Sequence, residues 1–334
     1  MILVTGGAGY IGSHSIIELL HANYDVVILD NFSNSSSNVI QKIESLSGKS
    51  VKVYEGDVCD RSLLKKIFFD HSISDVIHFA GLKSVSESIQ KPIEYYQHNV
   101  AGTLGLVDEM LENGVNNLIF SSSATVYGEP ETIPLTESSK VGGTTNPYGT
   151  SKLIAEYILG DIAHANPDFN VTLLRYFNPV GAHPSGLLGE SPKGIPNNLV
   201  PYLTMVADGQ LEYLSVYGND YPTVDGTGVR DFIHVMDLAA GHLAAINNRS
   251  KDSNFHIYNL GTGKGYSVLE LINSFERVTG VTVNYRFCDR RSGDIAECWS
   301  NPALAEKELS WKAVRTLDDM LADVWNWQKM NKAE

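Results

Sequence analysis

The stretch Gly6-Gly7-Ala8-Gly9-Tyr10-Ile11-Gly12 stands one residue after the apolar run Ile2-Leu3-Val4 and opens a helical pattern from Ile11 to Leu20. Strand, glycine turn and helix in that order form the entrance to a dinucleotide-binding fold. Glycine allows the tight turn, lets backbone approach a pyrophosphate, and brings helix and strand into contact. The free N–H groups and positive dipole at the helix start favour an anion there. A glycine trio alone also fits an ordinary tight turn, so the residues around it decide.

Outward from the loop, short apolar runs alternate with helical stretches. Strand-like segments at 25–29, 51–54, 75–79, 117–120 and 171–174 alternate with predicted helices at 63–69, about 93–111, and from Pro147 onward. This alternation predicts an α/β protein built on a doubly wound, parallel, Rossmann-like sheet. After Asn178 the texture changes to the Gly-, Pro- and Ser-rich HPSGLLGESPKGIPNN, which reads as a loop excursion. Residues 1–178 are therefore read as a dinucleotide-binding domain with later returns near 230–260. Residues 179–334 are read mainly as a smaller, interleaved α/β substrate domain.

The second strand leads to Asp30, 18 residues past Gly12, close to the spacing of a carboxylate that holds the adenosine ribose. No Arg or Lys lies between Asn31 and Gln41 to receive a 2′-phosphate, which favours NAD over NADP. Asp57, after the third strand, is placed to meet the adenine or to serve as a turn residue.

In Asn146-Pro147-Tyr148-Gly149-Thr150-Ser151-Lys152, a tyrosine and a lysine four apart share one helix face. A chain with 16 tyrosines produces Tyr-x-x-x-Lys about once by chance, so spacing alone does not separate a catalytic pair from a solvated one. Their place in the fold does. Ser121-Ser122-Ser123 ends the fifth strand, on the sheet edge where such folds bind ligands, and Tyr148 starts the next helix. A phenol is ionised to roughly one part in a thousand at neutral pH. A nearby ammonium and a cationic nicotinamide would favour phenolate, as a general base requires. Ser123 is positioned to assist at the same substrate oxygen.

Composition limits the alternatives. The chain has 334 residues, 43% of them apolar and 19% charged, with a net charge of −14. It lacks the basic surface that nucleic acid or anionic membrane requires, and no apolar run is long enough to span a bilayer. Cys59, Cys288 and Cys298 are odd in number and lack C-x-x-C spacing, which argues against a disulfide framework or a zinc site. No basic leader precedes the first strand, so a cytoplasmic location is expected.

GGAGYIGSH, ILDN, HFAGLKSV, SSSATVYG, NPYGTSK and RYFNPVGAHPSG, continuing through GIPNNLVPY, GTGVRDFIHVMDLA, YNLGTG and RRSGD, resemble the UDP-galactose 4-epimerases, extended members of the short-chain dehydrogenase/reductase family. The resemblance covers essentially the whole chain. It implies tightly held NAD, reduced and reoxidised in each cycle, and a 4-keto sugar that turns about its diphosphate anchor. Tyr148 would take the O4 proton, Lys152 would tune it and hold the nicotinamide ribose, and Ser123 would assist. Tyr10, Ile11, Asp30, Asn31, Asp57, Val58, Phe79, Lys83, Asn99 and Phe177 would join Gly6, Gly9 and Gly12 around the cofactor. Asn178, Asn198, Leu199, Arg230, Arg291 and Asp294 would bind the uridine diphosphate portion. His98 stands where the family varies. Cys298 occupies a position where a tyrosine in some members crowds sugar C2, while a small residue in others admits a 2-acetamido group. The expectation is therefore activity on UDP-GlcNAc/UDP-GalNAc as well as on UDP-glucose/UDP-galactose. The resemblance also implies a homodimer. Two readings compete: a nucleotide-sugar dehydratase and a non-catalytic NAD-binding sensor. The dehydratase would need an Asp-Glu pair where Ala124 and Thr125 stand, and the sensor would have no use for the Tyr/Lys pair.

Overall fold

A computed structural model of the chain describes residues 1–331 apart from 192, 194, 195, 197, 249–251 and 292. The chain begins β1 (Ile2–Thr5), α1 (Tyr10–His21), β2 (Val26–Asp30), α2 (Asn38–Ser47), β3 (Lys52–Glu55), α3 (Arg61–Asp70) and β4 (Asp75–His78). It continues with α4 (Val85–Gln90), α5 (Pro92–Tyr96), a π-turn over Gln97–Ala101, α6 (Gly102–Glu112), β5 (Asn117–Ser123), a 3₁₀ turn over Ala124–Tyr127, α7 (Pro147–Ala165) and β6 (Asn170–Tyr176). Next come β7 (Asn178–Val180), α8 (Leu199–Ala207), β8 (Leu214–Tyr217), β9 (Val229–His234), α9 (Val235–Asn247) and β10 (Phe255–Leu260). The chain closes with β11 (Gly265–Ser267), α10 (Val268–Thr279), β12 (Tyr285–Cys288), β13 (Glu297–Cys298), α11 (Ala303–Glu308) and α12 (Leu317–Asn331).

Seven strands form one sheet in the order β10-β6-β5-β4-β1-β2-β3, every pairing parallel. Alternate side chains of β1 divide between its faces: Ile2 and Val4 pack with Ile16, Ile28 and Ile77, and Leu3 packs with Val27, Val76 and Leu118. Burial on both faces is what a parallel sheet needs, at roughly 1.5–3 kcal/mol for each large side chain removed from water. Several helices start where a side chain caps them. Asp60 accepts from the N–H groups of Ser62 and Leu63, and Asn146 accepts from Gly149 ahead of Pro147 at the start of α7. Ser267 and Glu270 form a reciprocal capping box on α10.

The later part of the chain returns to this sheet. Helix α9 packs against α1, and β10 pairs with β6, Phe255 against Val171 through Leu260 against Tyr176. Strand β9 belongs instead to a smaller sheet with β7, β11 and β13. A third cluster, including Leu203, Val216, Phe232, Phe275 and Leu321, forms the core of the substrate-side unit.

Several boundaries differ from the sequence reading. The predicted helix over about 93–111 is α5, a π-turn and α6 in succession. Strand β5 runs on through all three serines, which pair with Leu174, Arg175 and Tyr176. Helix α2 lies outside the predicted helices, although Val39, Ile40, Ile43 and Leu46 recur at helical spacing and pack on the core, with Ile43 its one buried residue.

Candidate active site

Strand order reverses between β1 and β4, and their exits meet. A Cβ on Gly6, which has φ +69°, would come within 2.7 Å of the Ala80 nitrogen. Gly12 is equally confined, because a Cβ there would lie 2.4 Å from the Gly6 carbonyl oxygen. Gly9 differs: its φ is negative, and a Cβ would meet only the Gly6 oxygen, at 3.2 Å. It caps α1 with no side-chain hydrogen bond, so the first N–H groups of the helix are left for an anion. Ala8 N–H donates to Asp30 Oδ2 at 2.9 Å, and Asp30 Oδ1 accepts from the Phe32 N–H and the Ser35 hydroxyl. That carboxylate ties β2 to the glycine loop.

These groups line a cavity of about 530 Å³. Gly6, Gly9, Tyr10, Ile11 and Gly12 form its middle, and Asp30, Asn31, Asp57 and Val58 line it after β2 and β3. Phe79, Lys83, Tyr148 and Lys152 complete the wall towards β4 and α7. Lys42 of α2 also lines it, one residue beyond the window in which the sequence shows no cation. Two expected residues stand behind the wall. Asn99 binds the Leu82 N–H and carbonyl and the Ser151 hydroxyl, and so fixes the loop that carries Lys83. Phe177 is buried beside Val126, Leu153 and Cys298. A carboxylate after β2, an uncapped helix start and bare glycine backbone between them fit a dinucleotide.

At the α7 end, the Lys152 Nζ donates to the Ser121 carbonyl at 2.6 Å and lies 4.8 Å from the Phe120 ring centre. Burial lowers its ammonium to about 8, with Glu156 opposing. Tyr148, one turn earlier, faces the cavity. Burial raises its phenol, and a hydrogen bond with Ser123 works the other way. The Ser123 Oγ already accepts from the Thr125 N–H and hydroxyl, so its own O–H is left to donate to the phenol. The hydrogen bond of the Lys152 ammonium is to the Ser121 carbonyl, one turn from the phenol. A positive charge in the cavity would oppose the effect of burial and favour phenolate.

Sequence reasoning missed Tyr176, at the end of β6, which lines the same cavity. Its hydroxyl is 2.5 Å from His242 Nε2, whose Nδ1 faces the Leu238 carbonyl at 2.8 Å. Burial pushes that imidazole down to about 4. With Nδ1–H donating to Leu238, Nε2 accepts from Tyr176. Only the end of an apolar strand signalled this residue, and nothing in the spacing signalled its partner 66 positions on.

A second cavity, of about 470 Å³, is lined by Asn178, Asn198, Leu199, Arg230, Arg291 and Asp294. Arg230 donates to its neighbour's carbonyl, that of Val229. The Arg291 guanidinium is held by Asp294 at 2.8 Å and stacks 4.8 Å from the Tyr217 ring centre. Glu190 stands between the cavities, accepting from Lys83 at 3.0 Å and Asn198 at 2.9 Å. Tyr10, Glu190 and Trp327 line both. Cys298 is in neither wall. It is 8% exposed in the cluster behind Phe177, opposite Arg230 in the β9–β13 pairing.

The model of the NAD dependent epimerase/dehydratase family matches residues 2–261. The UDP-glucose 4-epimerase of Pasteurella multocida (strain Pm70) is 61% identical over 99% of this chain and 98% of its own. A crystal structure of the Bifidobacterium longum UDP-glucose 4-epimerase with NAD+ and UDP superposes with a TM-score of 0.96 at 55% identity, covering 99% and 98% of the two chains. The Stenotrophomonas maltophila UDP-glucose-4-epimerase, solved with NAD and formylated UDP-arabinopyranose, gives 0.97 at 46% identity over 100% and 99%. With glycine loop, Tyr148–Lys152 pair and whole-length likeness in agreement, the chain belongs to the NAD-dependent epimerase/dehydratase family, in its UDP-glucose 4-epimerase branch.

Proposed function

We propose that the two joined cavities interconvert UDP-glucose and UDP-galactose by epimerisation at C4, and that they also admit the 2-acetamido sugars UDP-GlcNAc and UDP-GalNAc. The observation that carries the reading is the junction at Tyr10, Glu190 and Trp327. It connects the cavity holding Tyr148 and Lys152 to the one holding Arg230 and Arg291. A sugar joined to a diphosphate spans such a junction.

When bound, oxidised NAD takes hydride from sugar C4 and later returns it. Tyr148 removes the O4 proton, with Ser123 donating to the phenol oxygen to favour its charged form. Lys152 keeps a positive charge on the floor of the cavity, anchored to Ser121. Arg230 and Arg291 match phosphate oxygens with planar donor forks and hold the diphosphate while the 4-keto sugar presents its other face. Tyr148 then gives the proton back.

The acetamido reading rests on Cys298. Its cluster includes Phe177 and is flanked by Ala124, the neighbour of Ser123. A cysteine leaves that cluster uncrowded, whereas a tyrosine would press outward past Ala124 towards Ser123 and reject the larger substituent by repulsion. The dehydratase alternative finds no acid or base at Ala124. Thr125 donates its hydroxyl to Ser123.

A homodimer is also proposed. Ile89 is 60%, Ile93 72%, Leu104 42% and Tyr157 57% exposed; α4, α5 and α7 pack together, and α6 joins them through the π-turn. Such an apolar set suits burial against a second copy.

The central test is Tyr148→Phe. It should retain bound dinucleotide but turn over UDP-galactose about 10²–10⁴-fold more slowly, the usual contribution of a positioned acid–base group. A rate close to the parent's would refute the assignment.

A further inference from the structure

Three side chains with no part in the epimerisation chemistry meet at the rim of the larger cavity. Asp57 follows β3, Cys59 lies two residues on, and His98 comes from the π-turn between α5 and α6. The Cys59 Sγ is 3.8 Å from His98 Nδ1, which is 3.7 Å from Asp57 Oδ1. All three donor atoms lie within 4.8 Å of one another. A tetrahedral ion at the usual bond lengths to sulfur, nitrogen and oxygen holds its ligand atoms about 3.3–3.6 Å apart. The two nearer separations need close by only a small rotation of the exposed Cys59 and half-buried Asp57 and His98 side chains, which brings the third pair, within 4.8 Å, closer as well.

The carboxylate is already oriented for this. The Asn31 Nδ2 donates to Asp57 Oδ2 at 2.7 Å and the Cys59 N–H to Oδ1 at 2.9 Å, the kind of outer support that fixes a metal ligand. The Cys59 thiol is pushed up to about 11 by desolvation and then by Asp57. One sulfur, one nitrogen and one oxygen donor suit zinc and its neighbours, while magnesium and calcium take oxygen ligands.

We propose that Asp57, Cys59 and His98 form a binding site for a zinc-class divalent cation, and that its occupancy opposes that of the dinucleotide. The opposition follows from shared walls: Asp57 and His98 line the cofactor cavity. The cation site requires no part of the epimerisation reading.

Cobalt(II) tests it, because thiolate ligation produces a near-ultraviolet charge-transfer band. The ion is titrated into the full chain stripped of dinucleotide and into the same chain reloaded with NAD. The stripped form should show the band, and reloading should weaken binding by roughly 5- to 150-fold, the usual range of coupling between sites. Cys59→Ser should abolish the band. His98→Ala should weaken binding beyond the roughly 10- to 100-fold expected when Asn31→Ala removes an outer-shell partner. Thermal melting confirms that each variant is folded. The proposal is overturned by absence of the band, by its survival in Cys59→Ser, by unchanged affinity in His98→Ala, or by equal affinity with and without NAD.

Discussion

Lys152 is bound to Ser121, its Nζ 2.6 Å from the backbone carbonyl oxygen of that strand-end residue. The contact holds a buried ammonium at the carboxyl edge of β5, one helical turn from Tyr148. Its charge is lost as pH rises through about 8, since burial lowers the folded value below that of a free lysine. Turnover that needs this charge should fall above about pH 8.

Lys152→Arg keeps a cation at all working pH values. It should lower the absolute rate, since guanidinium cannot reproduce the same contact, and move the alkaline limb of kcat upward. The readout is the pH profile of UDP-galactose turnover. An alkaline limb in the same place would remove Lys152 as its source.

Gly9→Ala and Gly12→Ala should separate cofactor loss from fold loss. A methyl on Gly12 meets backbone at 2.4 and 2.9 Å, so overpacking should cost about 1–3 kcal/mol or more and empty the site. A methyl on Gly9 has room except towards the Gly6 oxygen, and Gly9 lines the cavity at the uncapped start of α1, where a phosphate is expected. Gly9→Ala should keep the parent's melting temperature within a few degrees while losing most of its bound dinucleotide. Retention of dinucleotide by both variants would disprove the phosphate cradle.

Cys298→Tyr should suppress turnover of UDP-GalNAc at least about tenfold relative to UDP-galactose, in keeping with steric discrimination of 1–3 kcal/mol. Its cluster is closed, so overpacking is expected as well, and a melting curve measures it separately. Loss of both activities in equal proportion, in a variant that remains folded, would refute the pocket argument.

Ile93→Lys places a charge at the most exposed apolar residue of the α4–α7 face. Sedimentation should show a dimer for the parent and a shift towards monomer for the variant. A monomeric parent would refute the docking reading.

The legible parts of the molecule were those whose chemistry is local. Gly6 to Gly12 and Asp30 declare themselves by spacing along a single β-α-β unit, and Tyr148 and Lys152 by one helical turn. The serines of β5 were harder to place in the strand, because hydrophobic alternation does not mark polar residues paired with Leu174 to Tyr176. The buried group under the site was not legible at all. Arg175 grips Glu156 at 2.7 and 3.0 Å, and the Ser122 hydroxyl donates to the same carboxylate. Those three residues come from β6, α7 and β5, and only the sheet order brings them together. The π-turn was invisible for another reason. One extra residue per turn leaves no compositional trace, yet it carries Asn99 to the Leu82 loop and His98 to Cys59.

Strand β10 has a consequence for how the protein is made. The large sheet stays one strand short until residue 260 has left the ribosome, so β6 waits with an open edge during synthesis. A nascent chain paused near residue 178 would present Val171, Leu173 and Leu174 without their final neighbour. Expression of that segment alone should give insoluble material, since the piece that looks like a complete nucleotide-binding module depends on a strand that begins only at Phe255.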